Sequence, residues 1–135
     1  PAATRAHTLP AGDGYKTVRV QFRDGAGNYS AAVNDYIRLD TTPPTGTIII
    51  NDGALTTPTQ EVTLKLTWAD GTGAGVVRMR FSDNGSTWSA WETLKAIRVH
   101  TLPAGSGYHT VRAQYRDGAG NISPACNDYI KLLSP

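Results

Sequence analysis

The chain is poor in cysteine. Cys126 is the only one among 135 residues, so no disulfide can form within the chain. An internal repeat, described below, has Val33 at the corresponding position. We therefore expect Cys126 to fill a small apolar site as a buried hydrophobic side chain, rather than to act as a reactive or intermolecularly paired thiol.

Net charge and long apolar runs are also lacking. The 13 Lys and Arg residues nearly balance the 11 Asp and Glu residues, for a net charge of +2. That value is too small to require a nucleic-acid or membrane-surface partner. The longest apolar run, around Ile48–Ile50, falls far short of the roughly 18 residues of a membrane helix. We expect no nucleic-acid partner and no membrane insertion.

A helical period is absent as well, and the pattern that replaces it is that of short strands. Hydrophobic residues make up 39% of the chain, and 14 Gly and 8 Pro punctuate it. Apolar and polar residues alternate in Tyr15–Arg23, Glu61–Trp68 and Val76–Ser82, where Val77, Met79 and Phe81 are assigned to the buried face. Further strands are predicted at Thr4–Leu9, Asn34–Leu39, Thr47–Asn51, Thr87–Leu94 and Ile97–Leu102. About seven strands between Thr47 and Leu132 predict an antiparallel β-sandwich.

The second half of that sandwich occurs twice. His7–Leu39 and His100–Leu132 are identical at 25 of 33 positions, 93 residues apart, and the similarity extends upstream to Ala3 and Ala96. Residues 1–39 are therefore predicted to be the C-terminal half of one repeat, residues 40–45 (DTTPPT) a semi-rigid proline-rich linker, and residues 46–135 a complete sandwich.

The count of halves leaves one without a partner. Each chain has one front half (46–95) and two back halves (3–39 and 96–132), so strand exchange between chains always leaves a back half over. The side chains of Val18, Val20 and Phe22 are then a candidate assembly face, because leaving them in water costs about 1.5–3 kcal/mol for each large side chain. Either the front half that covers them lies upstream in a longer array, or the unpartnered half packs against a neighbouring subunit, a contact that could build a filament.

The motifs DTTPPTGTIII, DNGSTWSAW and YxTVxxQxRDGAGNxS give the chain a family resemblance. They resemble the tandem immunoglobulin-like or fibronectin-III-like repeats of large secreted and surface-attached bacterial proteins. The resemblance implies an extracellular or cell-surface location and a role as spacer, stalk, adhesive module or fibre subunit, with neighbouring copies or further repeats as partners. It also places Tyr15 and Tyr108 where such sandwiches often have a structural tyrosine.

Aromatic and basic residues form a candidate ligand or partner surface. It comprises Trp88, Trp91, Arg78, Arg80 and Arg112. The tryptophans could stack on sugar rings, but their odd spacing in a strand would put them on opposite faces and at least one in the core. Arginines at outward positions, Arg116 included, could form a basic stripe for an anionic polysaccharide, or could simply discourage edge pairing.

The acidic residues and histidines do not form a pattern typical of a metal site or a catalytic site. Calcium is considered at the turns and the linker, which contain Asp24, Asp40, Asp70, Asp83 and Asp117, but no D-x-D-x-D cluster supplies the six to eight oxygens, roughly, that calcium needs. The three histidines, His7, His100 and His109, lack metal-ligand spacing. Asp83–Trp88 resembles part of an Asp-box, itself a structural hairpin. We expect no cofactor.

The sequence thus predicts a non-catalytic extracellular structural module. The alternative is a carbohydrate-binding or adhesion module that uses the surface aromatics and arginines. No set of residues nominates a reaction.

Overall fold

The structure, a computed structural model, describes residues 3–71 and 73–133 and consists of β-strands joined by turns. The chain divides into two compact units, Pro1–Thr41 and Thr42–Pro135, so the division falls within the predicted linker. No helix in the described residues is long and apolar enough to span a bilayer.

The second unit is a sandwich of two sheets. Its strands are β3 (Thr45–Ile50), β4 (Thr56–Thr57), β5 (Glu61–Ala69), β6 (Val76–Ser82), β7 (Glu92–Thr93), β8 (Ile97–Thr101), β9 (Gly107–Asp117) and β10 (Cys126–Leu132), with a 3-10 turn at Asn51–Gly53. One sheet has the order β4-β10-β9-β6-β7 and the other β3-β5-β8. All pairs are antiparallel except β4 with β10. The predicted all-β, immunoglobulin-like antiparallel sandwich is confirmed.

The core lies between the sheets and follows the period-2 pattern of the sequence. In β5, Val62, Leu64 and Leu66 are buried and alternate with exposed residues. In β9, Val111, Ala113 and Tyr115 are wholly buried. Partners from β3, β6 and β10 complete the cluster, namely Ile48, Ile50, Met79, Phe81 and Ile130. The repeated half therefore supplies strands to both sheets, β8 to one and β9 and β10 to the other.

The first unit contains one hairpin. It consists of β1 (Gly14–Val20) and β2 (Val33–Leu39), which pair from Gly14 with Leu39 to Val20 with Val33. The equivalent strands β9 and β10 pair in the same register, from Gly107 with Leu132 to Ala113 with Cys126. The hairpin part of the duplicated sequence therefore forms the same local structure in both units.

Two strand predictions and one assignment to the buried face were wrong. Thr4–Leu9 is not a strand, whereas its counterpart Ile97–Thr101 is β8 and pairs with β5. The first unit has no equivalent of β5, so the same sequence has no strand to pair with. In Thr87–Leu94 only Glu92–Thr93 is a strand. A register shift between Val76 and Arg78 leaves Val77 exposed, and Val76 packs on the core instead.

Candidate functional site

A stack of alternating rings and guanidinium groups lies on the outward side of the five-stranded sheet. The guanidinium carbon of Arg80 lies 4.9 Å from the ring centroid of Trp88 and 4.5 Å from that of Trp91. The guanidinium carbon of Arg116 lies 4.8 Å from the ring of Trp91. We call Trp88, Arg80, Trp91 and Arg116 the Trp–Arg ladder. Such cation–π contacts require the cation within about 6 Å of the ring.

Hydrogen bonds hold the ladder in place. Arg80 donates from Nε and from a terminal nitrogen to Gln114 Oε1, at 3.0 and 2.7 Å, and Gln114 donates in turn to the carbonyl of Ser123. Ser89, between the two tryptophans, accepts from the Phe81 backbone through its hydroxyl and donates its own N–H to the Phe81 carbonyl. The segment that carries both rings is thereby fixed to β6.

The turn before this segment is built from local bonds. Asn84 Oδ1 accepts from the backbone of Ser86 and Thr87, and Ser82 Oγ accepts from the backbone of Gly85. Gly85 has φ +78°, a left-handed conformation that favours glycine. The Asp-box-like sequence therefore forms a structural turn.

The expectation that Trp88 and Trp91 point to opposite faces was wrong. Residues 88–91 are not in a regular strand, so the period-2 rule does not apply to them, and both rings contact the same guanidinium. Each ring is half-buried, and neither belongs to the core cluster of the described residues.

Arg78 and Arg112 lie beside the ladder on the same face. Arg78 is directly opposite Arg116 in the pairing of β6 with β9, and Arg112 is opposite Ser82. Arg112 also lies against Gly85, whose added Cβ would be 3.3 Å from the Arg112 Nε. The structure therefore brings all five predicted surface residues together, and adds Arg116 to them.

The candidate assembly face of the first unit is exposed to solvent. Val20 is 45% and Phe22 65% exposed, and Val18 is half-buried. Their equivalents Val111, Ala113 and Tyr115 are 0% exposed in the second unit. The hairpins themselves are paired alike, so the difference arises because no strands equivalent to β3 and β5 cover β1 and β2 in residues 3–41.

The carboxylates proposed for calcium mostly stabilise turns. Asp24 Oδ1 accepts from the backbone of Ala26 and Asn28, and its Oδ2 accepts from the Asn28 side chain. The backbone bond from Asn28, followed by its side-chain bond, lowers the Asp24 pKa below 3.8. Asp117 makes the equivalent contacts with Ala119 and Asn121.

Asp70 and Asp83, the other carboxylates considered for calcium in the second unit, have different neighbours, and the histidines contact some of the same turns. Carboxylate oxygens of Asp70 and Asp117 lie within 4.8 Å of each other, a spacing that can in principle hold a metal ion. Calcium requires more oxygens than these two groups offer, so their spacing alone does not make a calcium site, and the expectation of no cofactor stays a prediction. Asp83 lies 2.9 Å from His100 Nε2, and the other ring nitrogen of His100 lies 3.1 Å from Arg98. His109 bonds the Gly105 carbonyl.

The structural tyrosine is Tyr115, which the sequence analysis missed. Its ring is wholly buried, its hydroxyl donates to the Thr47 carbonyl at 2.8 Å, and burial raises its pKa. Tyr15 and Tyr108, which were expected in that role, are each 69% exposed. Tyr115 lies at a position of β9 that the alternation of apolar and polar residues assigns to the core. A tyrosine at such a position needs a hydrogen-bond partner for its hydroxyl, and that signal would have identified it.

Comparison with known proteins relates the chain to others by fold. No protein-family model matches the sequence, and no curated protein matches it. Among solved structures, the PKD1 domain of Vibrio anguillarum Epp has a TM-score of 0.51 and 14% identity, covering 71% of this chain and 100% of that domain. The PKD domain of an M14-like peptidase from a Thermoplasmatales archaeon has a TM-score of 0.46 and 16% identity, covering 69% and 95%. In fold, the chain is similar to a PKD domain, an immunoglobulin-like β-sandwich.

Proposed function

We propose that the chain is a non-catalytic extracellular structural module whose first unit is completed by a covering layer from outside this chain. That layer is either a front half in further sequence of the same polypeptide or the surface of a neighbouring subunit against which the first unit packs. The observation that carries the proposal is the uncovered apolar face of the β1–β2 hairpin, whose counterpart in the second unit is covered.

The β1–β2 hairpin has side-chain contacts in common with the β9–β10 hairpin of the sandwich. Tyr15 and Tyr36 pack edge to face with ring centroids 5.9 Å apart and planes at 65°, as do Tyr108 and Tyr129 in the second unit. The Ser30 hydroxyl accepts from the Phe22 backbone, as the Ser123 hydroxyl does from Tyr115. A hairpin of this kind is marginally stable alone, so a covering layer would stabilise it.

The uncovered face of the β1–β2 hairpin has a cavity and exposed apolar side chains that a covering layer could fill and bury. Phe22 borders a cavity of about 360 Å³, together with Asp24, Asn28 and Tyr29. Val33 and Ile37 on β2 are 55% and 60% exposed, although their equivalents are half-buried and wholly buried in the second unit. In the second unit the matching positions pack against the apolar side of β3 and β5.

The layer that would best cover the β1–β2 hairpin is therefore another front half. In this chain the covering residues alternate along β3 and β5 and are Ile48, Ile50, Val62, Leu64 and Leu66. A segment with the same alternation, and a small residue where Gly46 faces Tyr115, would fit over Phe22. The extracellular location is supported by the resemblance to secreted repeats and by the PKD-like fold.

The test restores the front half within the chain. A version carrying a second copy of residues 46–95 ahead of residue 3 should form two complete sandwiches. The backbone amides of Val18 and Val20 should then exchange with deuterium as slowly as those of Val111 and Ala113. The original chain should exchange them much faster at low concentration, because local opening is easier where few apolar contacts form.

The size of the original chain distinguishes these two possibilities. If a neighbouring subunit covers the face, sedimentation should reveal association that increases with concentration and is lost in Phe22→Asp. Thr17→Asp is the matched control, because Thr17 lies on the opposite side of β1. Unchanged exchange of the Val18 and Val20 amides in the extended chain, with a monomer at every concentration, would contradict the proposal.

A further inference from the structure

The outward face of the five-stranded sheet has cationic side chains and no anionic ones. On β6, β9 and β10 the outward charged residues are Arg78, Arg80, Arg112, Arg116 and Lys131. The two acidic residues of these strands lie at inward positions. Asp117 is 1% exposed, and Asp128 Oδ2 accepts a hydrogen bond from the Ile50 backbone. The charges are therefore segregated, although the chain as a whole has a net charge of only +2.

Within this face, two arginines oppose each other without an anion between them. Arg78 and Arg116 are direct cross-strand neighbours, a placement that destabilises a sheet when the charges are alike. Among residues 3–71 and 73–133, Glu92 forms an ion pair with Arg98, and Asp83 forms a hydrogen bond with His100, so neither acidic group pairs with Arg78 or Arg116. An anion bound from solution would relieve this repulsion.

The face is also rigid. Arg80 is held between two rings and bonded to Gln114, and Arg116 lies over Trp91. Fixed side chains lose little conformational entropy when a ligand binds. The ring of Trp91 already contacts two guanidinium groups, so it is not a free surface for stacking a neutral sugar. The groups that the ladder offers to a ligand are therefore its guanidinium groups rather than the faces of its rings.

We propose that this face, extending from Arg78 and Arg112 past the ladder to Tyr108 and Tyr129, binds an acidic polysaccharide. The guanidinium groups would donate to carboxylate or sulfate groups, for which their planar fork is suited. Tyr108 and Tyr129, 69% and 59% exposed, offer apolar contact to the sugar rings between those groups. A uronate or sulfated polymer carries both features, whereas a neutral glycan lacks the anions.

The same pattern recurs in the first unit. Arg19, Gln21 and Arg23 take the positions of Arg112, Gln114 and Arg116, and Tyr15 and Tyr36 those of the two exposed tyrosines. In residues 3–41 there is no counterpart of β6 or of the Trp–Arg ladder, so the first unit repeats only the β9–β10 part of the face. This surface is separate from the apolar assembly face, so its function does not depend on completion of the first unit.

The test measures binding of the whole chain to immobilised alginate and dextran sulfate, with neutral dextran and duplex DNA as comparisons. Arg78→Gln/Arg112→Gln removes two charges outside the ladder. It is made in an Arg19→Gln/Arg23→Gln background, so that the first unit does not mask the loss. Compared with that background, binding to both acidic polymers should fall about tenfold or more, because hydrogen bonds to charged groups are strong.

The matched control removes the same charge from elsewhere in the second unit. Lys65→Gln/Lys95→Gln, in the same background, should bind the acidic polymers as well as the background does. Binding of the original chain should also weaken as salt increases. Equal binding to neutral dextran, tighter binding to DNA, or equal losses in the Arg and Lys variants would overturn the proposal. The thermal midpoint of each variant verifies that it is folded.

Discussion

The ring of Tyr115 packs directly against the backbone of Gly46. A Cβ atom at Gly46 would overlap Cδ2 and Cε2 of that ring and approach the Thr67 carbonyl. The Tyr115 hydroxyl reaches past Gly46 to the Thr47 carbonyl, and Trp68, paired with Gly46, lies 5.9 Å from the ring. One tyrosine thus joins β9 of one sheet to β3 of the other.

Gly46→Ala should destabilise the second unit by about 1–3 kcal/mol, because the added methyl group forces the ring or the strand to move. Urea unfolding followed by tryptophan fluorescence measures the change. Gly118→Ala is the matched control. Its Cβ would lie 3.6 Å from Ala74, an ordinary contact, and it should change stability by no more than about 0.5 kcal/mol. Equal stability of both variants would show that the ring adapts without cost.

Tyr115→Phe should cost about 1 kcal/mol, because it removes one hydrogen bond and leaves the Thr47 carbonyl without that donor. The same unfolding measurement applies. Tyr108→Phe, on the same strand but exposed, should have no measurable effect. A larger loss in Tyr108→Phe than in Tyr115→Phe would contradict this account of the core.

Alternation was sufficient to predict the fold and most of its core. The bounds of β5 and β6 were predicted within a residue at each end. β5 has one buried and one exposed face, whereas the register shift in β6 interrupts its alternation at Val77. The failures came where partners decide the outcome. Thr4–Leu9 has the sequence of β8 without a strand to pair with, so local propensity alone could not decide its structure.

The composition of the candidate surface could be predicted, but not its geometry. Trp88, Trp91, Arg78, Arg80 and Arg112 do lie together. The ladder depends on an irregular segment fixed by Ser89, and no periodicity describes such a segment. Arg116 was recognised as an outward arginine. Its contact with Trp91 depends on the register of β9 with β6, which the sequence does not specify.

The Asp24 turn predicts a pH dependence. The pKa of Asp24 lies below 3.8 in the folded chain because the Asn28 backbone and side chain donate to the carboxylate. The stabilisation it provides is therefore present above pH 3.8, and is lost as the pH falls through the lower folded pKa. NMR titration of the carboxyl carbon should show this low midpoint. Asn28→Ala should raise it, and Asn34→Ala should not.

Cys126 should react slowly in the folded protein. Burial raises its pKa, its Sγ lies 3.6 Å from the Ala113 carbonyl, and it packs against the core. Less thiolate is then present at a given pH than for a free cysteine, and the sulfur is less accessible. A chromogenic disulfide reagent should label it far faster in urea. Cys126→Val, which introduces the residue of the equivalent position Val33, should keep the fold. The structure leaves Cys126 half-buried, and equal labelling rates in buffer and urea would show that the fold does not protect the thiol.

The contact of Trp91 with Arg116 should be measurable as an energetic coupling. Trp91→Leu and Arg116→Gln each remove it, so the double variant should be about 0.5–1 kcal/mol more stable than the sum of the single losses predicts. Trp91→Leu with Arg112→Gln is the matched control, because Arg112 is on the same strand but contacts Gly85 instead, and these losses should add. Additive losses for Trp91 with Arg116 would mean that the two side chains are adjacent without attraction. The ladder would then not account for the rigidity of the cationic face.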